Sequence, residues 1–321
     1  MELKQQMDHA LKNREQVMLF LNRRGYAGFV SCRACGHVMK CPHCDVSLSE
    51  HNGNRLVCHY CGYEIAKPES CPSCGSPHIG GFKAGTQQIE KVLEKEFPEA
   101  RVLRMDFDTT RTKDSYEKIL AAFARHEADI LVGTQMIVKG HDFPDVTLVG
   151  VIAADLSLNM DDYHCGERTF QLLTQAVGRS GRGNKAGHAV IQTYQPEHYS
   201  IQAAAIQDYE KFYKEEMMYR MLLDYPPAAH MMTVFGACQD EELLKKAMYY
   251  IEVFIRRVSP KEELHMIGPA SASVGKVKDV YRQVLHLKHT DIRFLTAVRE
   301  KLEKIYRDKI PDSGRYIYNM I

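Results

Sequence analysis

The 321-residue sequence predicts an α/β lobe built on a parallel sheet, interrupted by a cysteine-rich module and followed by a small α+β domain. Three observations predict it. Short apolar runs alternate with helical segments on both sides of a cysteine block. Eight of the ten cysteines fall in four C-x-x-C pairs between Cys32 and Cys74. A Pro226-Pro227 step then separates the lobe from a last third that reads as strand, helix, strand, helix, strand.

The elements follow in order. VMLFLNRRGYAGF opens with an apolar run, Val17 to Leu21, expected to be a buried strand after an N-terminal helix. Beyond the cysteines come a helix from about Thr86 to Phe97, the strand ARVLRMD, a helix near Asp114 to His126 and the strand ADILVGT. The apolar run VTLVGVIAAD leads into a helix around Arg168 to Gly178 and the strand HAVIQTY. Strands alternating with helices indicate a parallel sheet covered on both faces. An amphipathic helix, Glu215 to Tyr225, ends at the two prolines. MMTVFGA, Asp240 to Val258, VYRQVLHLKH, Asp291 to Arg307 and RYIYNM complete the chain, the last as an edge strand. The expected domains are 1–28 with 84–212, the insertion 29–83, and 213–321.

A hydrophobic content of 45% is ample for two or three cores. No apolar run approaches the roughly 18 residues of a membrane span, and MELKQQMDHALKNREQ is polar rather than signal-like. The expectation is a cytoplasmic monomer with no membrane contact. A formal net charge of +1 gives no general electrostatic reason to bind nucleic acid, so any such binding is local.

The cysteine pairs are Cys32/Cys35, Cys41/Cys44, Cys58/Cys61 and Cys71/Cys74. Each knuckle aims two thiolates at one tetrahedral zinc, and two knuckles close a structural site, so four knuckles mean two Zn2+. Of the three possible pairings, a ribbon hairpin turning at Asn52-Gly53 favours nesting. Cys41, Cys44, Cys58 and Cys61 form the inner site, and Cys32, Cys35, Cys71 and Cys74 the outer one. An iron–sulfur cluster is the alternative, disfavoured because the ligand run is not of the ferredoxin kind. His37, His43, His51 and His59 read as solvated, since eight thiolates fill both sites. Five basic and four acidic residues between Phe29 and Lys83, with two tetrathiolate zincs, give the module a formal charge of about −3. Such a module suits a protein partner, or nucleic acid stacked on Phe29, Tyr60, Tyr63 or Phe82. Core packing around the metals is the reading taken for most of those rings.

In open parallel sheets, ligands bind at the carboxyl ends of strands. GTQMIVKGHDFPDV follows the strand Asp129 to Val132 and supplies Thr134, Gln135, Lys139, Gly140, His141 and Asp142. Amides, a hydroxyl and a lysine there suit phosphate oxygens. QAVGRSGRG places Gln175, Arg179 and Arg182 at the end of a helix, where spacings of i, i+4 and i+7 would set them on one face. That face could meet a nucleotide phosphate, yet no G-x-x-x-x-G-K-[ST] loop occurs in the sequence. His164-Cys165 suggests a nucleophile with its base, but adjacent residues point apart, so packing is the reading taken.

LFLNRRGYAGF, the eight-cysteine block with CHYCGY, DILVGTQMIVKGHDFPDVTLVGVIAAD, QLLTQAVGRSGRG, DYPP and GPASASVGKVKDVYRQVLHLKH together resemble the PriA family of bacterial primosomal replication-restart helicases. The resemblance runs along most of the chain and matches the family's second, RecA-like helicase lobe plus its C-terminal domain. It implies an ATP-dependent 3′ to 5′ DNA helicase of superfamily 2 that remodels stalled forks and starts primosome assembly. GTQMIVKGHD would be motif V, with Thr134, Gln135, Lys139 and His141 toward DNA and Gly140 and Asp142 toward nucleotide. QAVGRSGRG would be motif VI, with Arg179 and Arg182 as arginine fingers aligned by Gln175. The implied partners are DNA forks and single-stranded DNA, primosome proteins and single-stranded DNA-binding protein. ATP and Mg2+ would bind only with a first lobe, so the 321 residues alone are expected not to hydrolyse ATP. Departures are Ser271 and Ser273 where prolines are usual, Asp279-Val280 in place of Gly-Arg, and Ala228 after DYPP. A non-catalytic zinc-ribbon adaptor is the rival reading.

From Ala228 onward, 16 Lys/Arg face 12 Asp/Glu, and Lys276, Lys278, Arg282, Lys288 and Arg293 cluster in one segment. Strand alternation sets Arg282, His286 and Lys288 on one face with Val284, either tracking a phosphate backbone or simply solvated. Lys276, Lys278 and Arg282 are the DNA-contact candidates there.

Overall fold

A computed structural model describes residues 2–21, 30–32, 34–35, 37–44, 46–51, 55–58, 60–81, 85–106, 109–110, 113–137, 142–158, 162–259, 264–309 and 315–320. In chain order the elements are α1 (Glu2–Lys12), β1 (Gln16–Leu21), β2 (Val30–Cys32), β3 (Ser49–His51), β4 (Arg55–Val57), β5 (Glu64–Ala66) and β6 (Ile79–Gly81). Then follow α2 (Thr86–Glu96), β7 (Val102–Met105), α3 (Lys113–Ala124), β8 (Ile130–Gly133), β9 (Val146–Ile152), α4 (Asp155–Leu158), α5 (Cys165–Val177) and β10 (His188–Ile191). The chain continues through α6 (Tyr199–Ala205), α7 (Tyr209–Leu222), β11 (His230–Cys238), α8 (Glu241–Val258), β12 (His265–Val277), β13 (Val280–His289), α9 (Ile292–Lys309) and β14 (Arg315–Met320). Among the described residues, no helix is long and apolar enough to cross a membrane. Two compact units result: Met1–Tyr26 with Lys83–Glu216, and Ala27–Phe82 with Met217–Ile321.

The first unit is a five-stranded sheet in the order β10-β9-β1-β8-β7, every neighbouring pair parallel. Its central strand, QVMLFL, is buried at all six positions because both faces are covered. Val17 and Leu19 pack with Met7 and Ala10 of α1 and Leu93 of α2. Met18 and Phe20 point the other way, into a cluster with Phe123 of α3 and Phe170 and Leu173 of α5. The continuous apolar run thus divides by period two between two helical layers.

The start of α2 is pinned to the end of β7. Thr86 Oγ1 donates to Asp106 Oδ2 at 2.5 Å, the Thr109 amide to Oδ1 at 3.0 Å, and Arg104 Nη1 lies 3.4 Å away. Burial raises the Asp106 pKa, but these donors and Arg104 outweigh it and hold the carboxyl below 3.8. Its stabilising contribution is therefore full above the unfolded pKa and lost as pH falls through the lower folded value. Asp106→Asn is expected to cost about 1–3 kcal/mol at neutral pH. The cost should shrink as pH falls through the lowered folded-state pKa, read as a flattened acid limb in denaturant titrations.

In the second unit, β11-α8-β12-β13-α9-β14 forms a β-α-β-β-α-β fold whose antiparallel sheet runs β12-β13-β11-β14. The α8 residues Leu244, Met248, Ile251 and Ile255, with Leu295, Val298 and Leu302 of α9, bury one sheet face against Met232, Val234, Leu285 and Leu287. The Asp240 carboxylate caps α8 by accepting from the Leu243 amide at 3.0 Å. β14 is an edge strand, as the sequence suggests.

The structure changes three sequence expectations here. HMIGPASASVGKV is a 13-residue strand, β12, where no strand is expected. Its Gly, Pro and Ser positions break apolar alternation, and its register against β13 shifts twice. As an edge strand it tolerates that irregularity. Helix α7 starts at Tyr209, six residues before the expected Glu215, and stops at Leu222. Lys288 shares a sheet face with Arg282 and His286 but is only 4% exposed. Its ammonium donates to the Leu223 carbonyl at 2.8 Å and sits 3.4 Å from the Tyr225 ring centroid. Lys288 thus closes a local cage and is not presented to a phosphate.

Candidate nucleotide-facing arginines and metal centres

Helix α5 ends at Val177, capped at Gly178, so Arg179 and Arg182 lie beyond the helix. The expected row of Gln175, Arg179 and Arg182 on one helix face is therefore not formed; Gln175 alone sits on α5, exposed. The cause is local. Ser180 Oγ donates back to the Val177 carbonyl at 3.0 Å, and Gly181 takes φ +71°, which turns the chain out of the helix.

The two arginines nevertheless converge. Arg179 Nη1 lies 3.3 Å from Asp142 Oδ1, and Arg182 Nη1 bonds the same oxygen. Arg182 Nε also donates to the Gly178 carbonyl at 2.8 Å, anchoring it at the negative end of α5. Burial lowers the Arg179 pKa first and Arg182 lowers it further, with Asp142 opposing. Asp142 is 67% exposed on its side chain, while Arg179 is 14% exposed. Two guanidiniums against one solvent-facing carboxylate leave a surplus positive charge at the mouth of the site. An open cleft lined by Gly178, Gly181, Arg182 and Gln207 adjoins it.

The glycines hold this loop shut. A Cβ on Gly181 would lie 2.6 Å from the Gly187 nitrogen, and one on Gly183 2.3 Å from the Pro144 carbonyl oxygen. Gly181→Ala therefore adds a backbone clash to the roughly 1–2 kcal/mol cost of a left-handed residue. A thermal melt of the variant should show a clear loss, and an unchanged midpoint would contradict the packing.

The other sequence-selected residues scatter. Thr134 and Gln135 are half-buried just past β8, and the Thr134 carbonyl accepts from the Ile137 amide at 3.1 Å. Lys139, Gly140 and His141 lie outside the described residues. His164 is bonded to Asp162 at 2.8 Å, and burial pushes the Cys165 thiol pKa up. A raised thiol pKa lowers the thiolate fraction and so works against a nucleophilic role for Cys165.

The cysteines form the two nested clusters: Cys32, Cys35, Cys71 and Cys74, and Cys41, Cys44, Cys58 and Cys61, each with its sulfurs within 4.8 Å of one another. Cys32–Cys74, Cys35–Cys71 and Cys41–Cys61 sulfurs are 3.6, 3.7 and 3.6 Å apart. A zinc tetrahedron with bonds of about 2.3 Å has edges of about 3.8 Å, so the donor sets fit that ion. The β3–β4 ribbon carries the inner cluster, its turn at 52–54 lying outside the described residues. Pairing of β2 with β6, Cys32 opposite Ile79, brings the first and last knuckles together. Tyr63 packs into the module core with Leu48 and Leu56, whereas Tyr60 is half exposed. His43 is not simply solvated, because its Nδ1 meets Asp279 Oδ2 at 2.6 Å. Phe29, Phe82 and His59 lie outside the described residues.

On the C-terminal sheet, the face away from the helices carries Arg282, Val284 and His286, with Phe235 opposite Val284. Arg282 lies 6.0 Å from the Phe235 ring, and His286 pairs with Thr233 Oγ1 at 2.9 Å. Lys278 is exposed, while the Lys276 ammonium donates to the Pro42 carbonyl at 2.9 Å.

A parallel sheet with an arginine loop between α5 and β10, and a tetrathiolate insertion following β1 in the sequence, defines a helicase C-terminal lobe. The family description "Helicase conserved C-terminal domain" matches residues 81–184, and "PriA DNA helicase Cys-rich region (CRR) domain" matches residues 41–65. The chain belongs to the PriA family. The replication restart protein PriA of Bacillus subtilis (strain 168) is 45% identical, covering 96% of this chain and 38% of that protein. Those of Synechocystis sp. and Thermotoga maritima are 43% and 37% identical, over 91% and 94% of this chain and 36% and 40% of theirs. The chain thus spans about two fifths of these relatives' length. Among solved structures, the Pyrococcus furiosus Hef helicase domain aligns with 63% of this chain and 27% of that one, at 16% identity and a TM-score of 0.29.

Proposed function

We propose that this chain supplies the second half of the nucleotide site of an ATP-dependent 3′ to 5′ DNA helicase acting in replication restart. The observation that carries the reading is the convergence of Arg179 and Arg182 on the exposed carboxylate of Asp142. Asp142 offsets part of the pair's charge and orients it; a polyphosphate held by a facing lobe would take its place. Guanidiniums meeting the transferred phosphoryl group offset its charge, an effect on the order of 10³-fold or more in such enzymes. Mg2+ and most nucleotide contacts belong to that facing lobe.

DNA contact is assigned to the loop after β8, through Thr134, Gln135, Lys139 and His141, and to Lys278 and Arg282 on the C-terminal fold. Support for the latter is a sheet face left clear by both helices, offering a guanidinium beside an aromatic ring. The cysteine module holds two zincs and, being negative overall, suits primosome proteins or single-stranded DNA-binding protein better than phosphate. Arg282→Ala is expected to weaken single-stranded DNA binding by this chain several-fold and to reduce its salt dependence by about one phosphate contact. Fluorescence anisotropy across a salt series measures both, and an unchanged slope would remove Arg282 from the interface.

A further inference from the structure

The two knuckles of the inner cluster differ in how their second sulfur is satisfied. In Cys58/Cys61 the donor is local: the Tyr63 amide points at Cys61 Sγ, 3.4 Å away. In Cys41/Cys44 the corresponding Val46 amide goes instead to the Cys44 carbonyl at 2.8 Å. Cys44 Sγ takes its donor from 234 residues away, the amide of Lys278 at 3.3 Å.

Lys278 and Asp279 are the two-residue turn joining β12 to β13, with Val277 opposite Val280. Both take positive φ, 52° and 58°, as a type I′ hairpin loop requires. Neither residue is glycine, so the turn stores strain that its surroundings must offset. In such a loop both central amides lie outside the strand ladder, and here both are used on the knuckle. The Asp279 amide donates to the His43 carbonyl at 2.9 Å. Side chains add a clasp of Asp279 to His43 Nδ1 and Lys276 to the Pro42 carbonyl. Val277, 7% exposed, joins the core that contains Cys41, Cys44 and Cys58.

We propose that the Lys278-Asp279 turn is a cap of the inner metal centre, its amide donating to the Cys44 thiolate, so that the inner metal fastens the C-terminal fold to the cysteine module. An amide donor to a metal-bound thiolate disperses its charge and slows ligand loss. The outer cluster has no such contact with the C-terminal fold among the described residues. The two metals therefore have different duties: the outer closes the module on itself, and the inner joins it to the β12–β13 hairpin. The inference rests on zinc filling the inner cluster.

The test loads the full chain with zinc and follows cysteine alkylation, peptide by peptide, under a chelator challenge. Two glycines inserted between Lys278 and Asp279 carry the amide away from Cys44. Alkylation of Cys41, Cys44, Cys58 and Cys61 should then accelerate about 10-fold or more, with the outer four cysteines unchanged. Lys278→Gly keeps the amide and suits the left-handed backbone, so its rate of cysteine alkylation should match that of the unaltered chain. In the unaltered chain, hydrogen exchange at 276–280 should rise when metal is stripped, while β8 and β9 stay protected. Two metals per chain with unchanged alkylation in the insertion variant, or exchange at 276–280 indifferent to metal, would overturn the cap alone. One metal only, at the outer cluster, would overturn the zinc assignment and the cap together.

Discussion

Replacing Arg179 and Arg182 together by alanine is expected to lower DNA-stimulated ATP turnover on the order of 10³-fold when this chain is joined to a phosphate-binding lobe. DNA binding by the chain should change little. The expectation follows from the convergence of both guanidiniums on one exposed carboxylate, which leaves the pair with excess positive charge for a phosphate. Lysine at both positions should not restore turnover, because an ammonium lacks the planar fork and the Nε donor that Arg182 uses on the Gly178 carbonyl. The folding controls are within reach, since the loop is shaped by Gly181, Gly183 and Gly187 rather than by the arginines. Steady-state kinetics decide it, and a double variant with more than a tenth of the normal rate would remove these residues from phosphoryl transfer.

Stripping zinc is expected to unfold residues 30–80 while leaving the five-stranded sheet intact. Among the described residues the cysteine module has only three-residue strands, and in its small core, shared with Val277, three cysteines are themselves buried members. Structural zinc contributes roughly 10–16 kcal/mol to such small folds, far more than that core can replace. The first unit has its own two clusters on either side of β1, and none of the eight clustered cysteines belongs to it. Metal analysis should return two zincs per chain, and chelation should open the module in hydrogen exchange without touching β1, β8 or β9. Loss of protection in β1 at the same chelator concentration would contradict this independence.

Much of this was legible in the sequence because the constraints are local. An unbroken VMLFL run has to be buried on both sides, and a 3.6-residue pattern between apolar runs supplies the covering helices. Four C-x-x-C knuckles around a ribbon leave little choice but nesting, and the observed sulfur groups are the nested ones. What escaped depends on distant partners or on backbone detail. The end of α5 is set by Ser180 and a positive φ at Gly181, so a helical row drawn through Arg179 and Arg182 ran one turn too far. Their meeting point was nonetheless an expected nucleotide residue, Asp142, 37 and 40 positions earlier. Lys288 looks like a phosphate contact until Tyr225 and the Leu223 carbonyl are placed over it. The pairing of Cys44 with Lys278 has no signal in spacing at all, since nothing in either segment announces the other.

The central claim is that the arginine loop is one half of a nucleotide site whose other half lies on a facing lobe. DNA-stimulated ATP turnover by the purified 321-residue chain tests it most directly. Turnover indistinguishable from background is predicted for the chain alone, with activity appearing when a phosphate-binding lobe is supplied and disappearing again with the Arg179→Ala/Arg182→Ala pair. Turnover by the chain alone would contradict the claim, and no activity on adding the lobe would favour a zinc-ribbon adaptor.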